Sequence, residues 1–256
     1  MKPYDLTKEL ISTIFNDNLE GLVTTIIAPS GLGKTTLTCM QLPIYLYKQM
    51  KGSGVLSDKD VLLIMNTDKS LLNQRFLEIC RAFELNYSDV RANIKFLDLK
   101  NFDDQHNAII YKIPEMIRKN QYNIRYLVVD PFNHFLRRIF AETKPEYRLN
   151  VVGRLTPKLE HQMNVLSDLS RDHNVIVFCT LLPKKQYANT IPQAWQNAYF
   201  GPLEVAHLSD IVTWFNISKQ HENSIEARVL KHRLKPTPFS KHIQFADFGL
   251  KLMVER

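Results

Sequence analysis

The sequence predicts an α/β fold: a mainly parallel, twisted sheet flanked by helices, with antiparallel β-strands added at its C-terminal end. Three observations carry this expectation. Short runs of β-branched and aliphatic residues alternate with stretches whose apolar residues fall on helical spacing, the pattern of a parallel sheet covered on both faces. A glycine-containing turn joins the first such run to the first long helical stretch. Beyond residue 210 the helical spacing ends, and strand-like segments follow one another through short turns.

Residues 4–19 have room for one short helix, so residues 1–20 read as an N-terminal helical extension. With no internal repeat, low-complexity tract or linker to divide the remainder, residues 21–256 read as one domain. Leu22-Val-Thr-Thr-Ile-Ile27 is a buried strand by composition, and a helix is expected from about Lys34 to Met50, broken by Lys51-Gly-Ser-Gly54. Val61 to Met65 is the next strand. Leu71, Leu72, Arg75, Phe76, Ile79 and Phe83 then share a helical face. Ile94 to Leu97 is a strand, Ile109 to Lys119 a helix, and Arg125-Tyr-Leu-Val-Val-Asp130 a buried strand closed by a carboxylate. Leu155 to Leu169 is helical and Val175 to Thr180 is again a strand. The segment 183–203, with Pro183, Pro192 and Pro202, is expected to be a long loop. Ile211 to Ile217, Ser224 to Lys231, His242 to Ala246 and Leu250 to Val254 are the strands of a terminal meander.

Composition excludes several classes. Apolar residues make up 45% and charged residues 23% of 256 residues, which is the balance of a globular chain and not of a disordered or fibrous one. The longest apolar runs, such as Val61 to Met65, fall far short of the roughly 20 residues a membrane helix needs, so no membrane partner is expected. The opening residues carry early acids and no apolar core, unlike a secretory signal. Cys39, Cys80 and Cys179 stand singly inside apolar segments, the usage of reduced buried thiols, and the expected location is cytoplasmic. Net charge is +7; from residue 181 onward ten Lys and Arg face six Asp and Glu, a surplus of 4. That balance suits a polyanionic partner and equally a solvated basic face.

The strongest local signal is Ala28-Pro29-Ser30-Gly31-Leu32-Gly33-Lys34-Thr35-Thr36, set between strand and helix. It matches the phosphate-loop pattern except that Ala28 stands where the first glycine is usual. Gly31 and Gly33 permit backbone angles that turn successive N–H groups inward to cradle phosphate oxygens at a helix N-terminus. Lys34 would then meet the β- and γ-phosphates of ATP, the Thr35 hydroxyl would ligate Mg²⁺, and Thr36 would meet the α-phosphate. Asp130, delivered to the same sheet edge about a hundred residues later, is the expected second holder of the Mg²⁺ shell. Asp68 follows the strand 61–65 at that edge and is the candidate for orienting water, with helix capping as the plainer alternative. Thr180 ends strand 175–180 as either a phosphate sensor or a simple strand-end threonine.

These residues, together with the terminal meander, resemble the RecA superfamily, and within it the KaiC-like and archaeal RadA-paralog proteins. Ser70 to Leu99 is similar to the segment that follows the catalytic acid in KaiC-like proteins, and Glu204 to Phe215 to a strand-entering segment both groups share. Val229-Leu-Lys231-His-Arg233, with Phe239 to Phe245 and Gly249, looks like the KaiC-type C-terminal hairpin. The resemblance covers about residues 20 to 254 and implies a RecA-type ATPase core that forms homo-oligomeric rings or filaments with ATP between subunits. It further implies that Lys231 and Arg233 reach a neighbour's γ-phosphate; a basic edge strand that discourages aggregation is the plainer reading. The family usually carries Glu at the water-activating position, so the shorter Asp68 implies slow hydrolysis. The core begins near residue 20, without the N-terminal DNA-binding domain of full recombinases, which points to an accessory of a partner recombinase.

In that superfamily, loops facing the assembly axis contact single-stranded DNA. The matching segments are about Arg137 to Gly153, with Arg138, Lys144, Tyr147 and Arg148, and Pro183 to Leu203, with Lys184, Lys185, Tyr187, Trp195, Tyr199 and Phe200. Cations interleaved with aromatics suit phosphate contact and base stacking, whereas large aromatics also pack loops onto cores. Three activities are therefore expected in order: an ATP-dependent single-stranded-DNA-binding protein of recombination or repair, a ring helicase motor, and a KaiC-like signalling or scaffold ATPase that ignores DNA.

Overall fold

The computed structural model describes residues 2–69, 73–187, 190–199 and 201–253. Its frame is a nine-stranded sheet in the order β3-β2-β4-β5-β1-β6-β7-β8-β9. The strands are β1 Val23–Ile27, β2 Asp60–Asn66, β3 Ile94–Asp98, β4 Asn123–Asp130, β5 Ile176–Leu181, β6 Ile211–Ile217, β7 Ile225–His232, β8 Phe239–Ala246 and β9 Gly249–Leu252. The first six are mutually parallel, and β7 to β9 return antiparallel from β6, as the meander predicts. The expected mostly parallel sheet with C-terminal antiparallel strands is present.

Each central strand is buried on both faces, which is why it reads as an unbroken apolar run. Along β4, Tyr126 and Val128 enter one core while Leu127 and Val129 enter the other. The first core is covered by α1 (Pro3–Ile14), α2 (Leu42–Gly52), α3 (Asn73–Ala82) and α4 (Tyr87–Asn93). The second is covered by α5 (Phe102–Asn107), α6 (Ile113–Arg118), α7 (His134–Glu142), α8 (Arg148–His173) and α9 (Glu204–Leu208). Leu10, Ile11, Ile14 and Phe15 are buried in the first core, and Phe15 meets Phe178 of β5 edge-on at 5.6 Å, so the N-terminal segment belongs to the main hydrophobic body. No helix among the described residues is long and apolar enough to cross a membrane.

Two of the expected elements need correction. Segment 137–153 is no loop: α7 ends at Glu142, a 3₁₀ turn spans Pro145–Tyr147, and α8 begins at Arg148. Phe135 and Leu136 supply the buried stripe that makes α7 a helix. Segment 183–203 is a loop as expected, its described residues carrying 3₁₀ turns at Lys185–Tyr187 and Trp195–Asn197 and a bridge between Pro183 and Tyr199. Finally, the helix expected from Lys34 to Met50 is not uniform, because Thr36–Gln41 adopts a wider π turn before α2.

Proline accounts for that widening. Pro43 has no N–H for the carbonyl four residues back, and its ring would crowd that carbonyl. The chain swells instead, and the Leu42 N–H donates to Leu37. The same pairing recurs at Ala108–Lys112, just before Pro114. The shift leaves the Thr38 carbonyl without a helical donor, and the buried Tyr126 hydroxyl donates to it at 2.5 Å. Gln41, at the end of the turn, is also buried. Its amide donates to Thr7 Oγ1 and to the Leu250 carbonyl, and accepts from the Leu250 N–H, so it ties the turn to α1 and β9. Gly249 faces this amide, where any β-carbon would overlap it.

Tyr126→Phe keeps the ring and removes the donor that Thr38 O has among the described residues. We expect a loss of about 1–3 kcal/mol in denaturant unfolding with an unchanged m-value. A variant as stable as the parent would show that the orphaned carbonyl is satisfied some other way.

Candidate functional site

The strand order sets the site. β5 lies between β1 and β4, so the loop leaving β1 and the carboxylate ending β4 flank Thr180 of β5 at the C-terminal sheet edge. The loop is fixed at its root, where the Ala28 N–H donates to Leu181 O at 3.0 Å. Ala28 is buried and takes an ordinary backbone angle, so the missing glycine costs the turn nothing. Gly31 and Gly33 have φ of 85° and 75°, the left-handed region glycine occupies without strain. Ser30 and Gly31 form the exposed rim, while Pro29, Leu32, Gly33, Thr35 and Thr36 are half-buried. Phe245 of β8 and Leu250 of β9 lie against Gly33, so the antiparallel hairpin backs the loop.

Lys34 is 6% exposed and donates to the Pro29 carbonyl at 3.3 Å, an ammonium folded over its own loop. Burial pulls its pKa below the usual lysine value, and the charges of Asp130 and Asp68 oppose the shift. Asp130 is fully buried. Burial raises its pKa, against which hydrogen bonds from Thr180 and Thr35 and the charge of Lys34 stabilise the carboxylate. Thr35 Oγ1 donates to Asp130 Oδ2 at 2.6 Å, and Thr180 Oγ1 donates to Oδ1. The Cys39 thiol, its pKa pushed up by burial, also points to Oδ2 at 3.4 Å. The backbone of Asp130 is held as well, since Thr67 donates both its N–H and its hydroxyl to the Asp130 carbonyl.

Asp68 is half-buried just past β2, and its charge raises the pKa of Lys34, Asp130 and His134. The structure therefore gathers Lys34, Thr35, Asp68, Asp130 and Thr180 at one edge. A hydroxyl and a carboxylate are hard oxygen donors of the kind a small divalent cation takes, and Thr35 and Asp130 are the residues that would hold Mg²⁺ here. Left-handed glycines beside a buried ammonium are the backbone pattern that suits an anion.

Sequence reasoning missed His134 and misplaced Arg137. Both are half-buried on α7 and share an electrostatic neighbourhood with Lys34 and Asp68. The available signal was spacing: a helix starting four residues after Asp130 returns positions 134 and 137 to the sheet edge.

Lys231 and Arg233 lie elsewhere. Ile211 pairs with Thr24 and His232 pairs with Ile211, so these residues sit at the opposite, N-terminal edge of the sheet. A strand's length of about 15 Å separates them from the loop of the same chain. Lys231 Nζ donates to the carbonyls of Ala206 and His207 at 3.1 and 2.8 Å, capping the C-terminus of α9. Burial lowers its pKa. Arg233 is 60% exposed and pairs with Asp210 at 3.3 Å; Asp210 also accepts from the Val23 N–H.

The two stretches expected at DNA are altered. Arg137 is half-buried within reach of the Lys34 charge, and Tyr199 is buried in the second core with its hydroxyl on Pro202 O. Lys184 Nζ is engaged with Asn197 O at 2.7 Å, Trp195 packs against the core, and Phe200 lies outside the described residues. Lys144, Tyr147, Leu149 and Arg154 remain exposed, Tyr147 at 57% and Leu149 at 84%. No protein-family model and no curated protein matches this chain.

Because the folded-state pKa of Asp130 lies above 3.8, folding favours its protonated form, and stability falls as pH rises from 3.8 through the raised value. Above that window the ionised carboxylate is a fixed cost. The parent's melting temperature is expected to fall as pH rises through that window, and Asp130→Asn, which cannot ionise, is expected to lose that dependence. A parent whose melting temperature does not fall across the window would show that burial does not destabilise the carboxylate.

Proposed function

We propose that this chain is a Mg²⁺-dependent ATPase of RecA type that assembles into rings or filaments and works with single-stranded DNA in recombination or repair. One observation carries the reading: the 2.6 Å hydrogen bond that brings the Thr35 hydroxyl to the Asp130 carboxylate at the mouth of a glycine-bearing loop. In this reading Thr35 and Asp130 hold Mg²⁺, which neutralises phosphate charge when bound. The loop N–H groups and Lys34 bind the phosphates, with Lys34 exchanging its Pro29 contact for phosphate oxygen. Thr180 keeps the Asp130 carboxylate in one orientation. Asp68 orients a water on the γ-phosphate, and hydrolysis yields ADP, phosphate and a proton. Its short side chain keeps that step slow.

Arg233 completes the site of a neighbouring subunit, since its own loop is at the far edge of the sheet. Lys231 enters only by giving up its cap on α9. Exposed Lys144, Tyr147, Leu149 and Arg154 are the proposed DNA surface, combining charge with a stacking face. The burial of Tyr199 favours a second reading, a scaffold ATPase of KaiC type without DNA. The open basic and aromatic face near Tyr147 keeps the DNA reading first.

The test is Mg²⁺-ATP turnover with and without single-stranded DNA at fixed salt, with Lys34→Ala as the blank. DNA-stimulated turnover that vanishes in Arg233→Ala is the expected result. Turnover indifferent to DNA, without salt-sensitive binding, would replace DNA by a protein partner, and the absence of turnover above the blank would remove the ATPase reading.

A further inference from the structure

We propose that Arg137 contacts the terminal phosphate of the nucleotide bound in its own chain, so that each subunit distinguishes ATP from ADP before any neighbour contributes a cation. The inference rests on the nucleotide-site reading above.

The geometry begins where β4 ends. The Phe132 N–H donates to Thr180 O at 2.8 Å, and Phe132 is buried. The Asn133 side chain both donates to Leu182 O and accepts from the Leu182 N–H, at 3.0 and 3.1 Å. The first turn of α7 is thus clamped to the end of β5, beside Asp130 and the root of the loop. Phe135 and Leu136 enter the second core, which leaves His134 and Arg137, three residues apart, on one flank of the helix. Adjacent arginines then have different surroundings. Arg138 is exposed and paired with Glu142 at 2.9 Å, the fate of an ordinary surface cation. Arg137 is half-buried and makes no side-chain hydrogen bond or ion pair among the described residues. Its charge is felt by Lys34, and burial is the cause that lowers its own pKa.

A half-buried guanidinium without a partner among the described residues is a costly arrangement unless an anion completes it. Lys34 and Arg137 would flank the phosphate chain from the loop side and the helix side. Lys34 reaches phosphates that ADP also carries, so the discriminating contact falls to the cation on the helix. A planar fork of N–H donors suits two oxygens of one phosphoryl group, and such charge-assisted contacts are the strong ones.

The experiment is calorimetric titration of the full chain with ATP and with ADP, each with Mg²⁺, for the parent, Arg137→Ala, Arg137→Lys and Arg138→Ala, with thermal melts confirming folding. Arg137→Ala is expected to weaken ATP about 10–100-fold while ADP changes less than about twofold. Arg137→Lys should recover part of the loss, and Arg138→Ala should match the parent. Equal weakening of ATP and ADP, or no change in either, would overturn the role of Arg137 and leave the nucleotide site standing. Should Arg137→Ala melt below the working temperature, the ATP-to-ADP ratio of Arg137→Lys decides alone, and an unchanged ratio overturns the inference. A parent that binds neither nucleotide would overturn the nucleotide site and this inference together.

Discussion

A carboxylate with no exposed surface is expensive to keep ionised, and the way Asp130 is accommodated organises the surrounding structure. Thr35, Thr180 and Cys39 supply its side-chain hydrogen bonds, and Lys34 lies close enough to offset its charge. Those four residues come from the loop after β1, from the helical run that follows it, and from the end of β5. The strand order β4-β5-β1 is what brings them to one carboxylate. A different order would leave the same residues in three separate places and the charge unpaired.

The antiparallel extension takes part in the same arrangement. Phe245 and Leu250 press on Gly33 from behind the loop, while Gln41 bonds the Leu250 backbone in both directions. The loop is therefore gripped between the parallel core, through Ala28 and Thr35, and the hairpin of β8 and β9. Its helix begins with a π turn whose stray carbonyl is claimed by Tyr126 from β4. Movement of the loop would strain bonds in both halves of the sheet.

Much of this was legible in the sequence, for local reasons. The central strands are buried on both faces, so β1, β2, β4 and β5 are unbroken apolar runs. A strand, a glycine turn and a helix in succession define the loop without any knowledge of the rest. Asp130 is visible because it ends such a run. The segment Arg137 to Gly153 reads as a loop because its clustered cations outweigh the helical spacing of Phe135, Leu136 and Ile139. Whether Arg137 faces solvent or the loop depends on how α7 leaves the sheet edge, and Asn133 fixes that through a contact 49 residues away in sequence. Tyr199 illustrates the opposite limit: an aromatic among basic residues suits stacking equally well until its burial is known. Ser70, Leu71 and Leu72, part of the helical face expected after Asp68, lie outside the described residues.

The placement of Arg233 has a consequence for symmetry. The glycine loop and the basic pair occupy opposite ends of β1 and β7. A contact joining the basic end of one copy to the loop end of another uses two different surfaces and leaves one of each unoccupied. A two-fold pair meets it only if the copies lie antiparallel, so that each loop end faces the other copy's basic end. Copies that instead associate head to tail would keep adding until rotation closes them into a ring, or continue as a helix with an unpartnered loop at one terminus and an unused basic pair at the other.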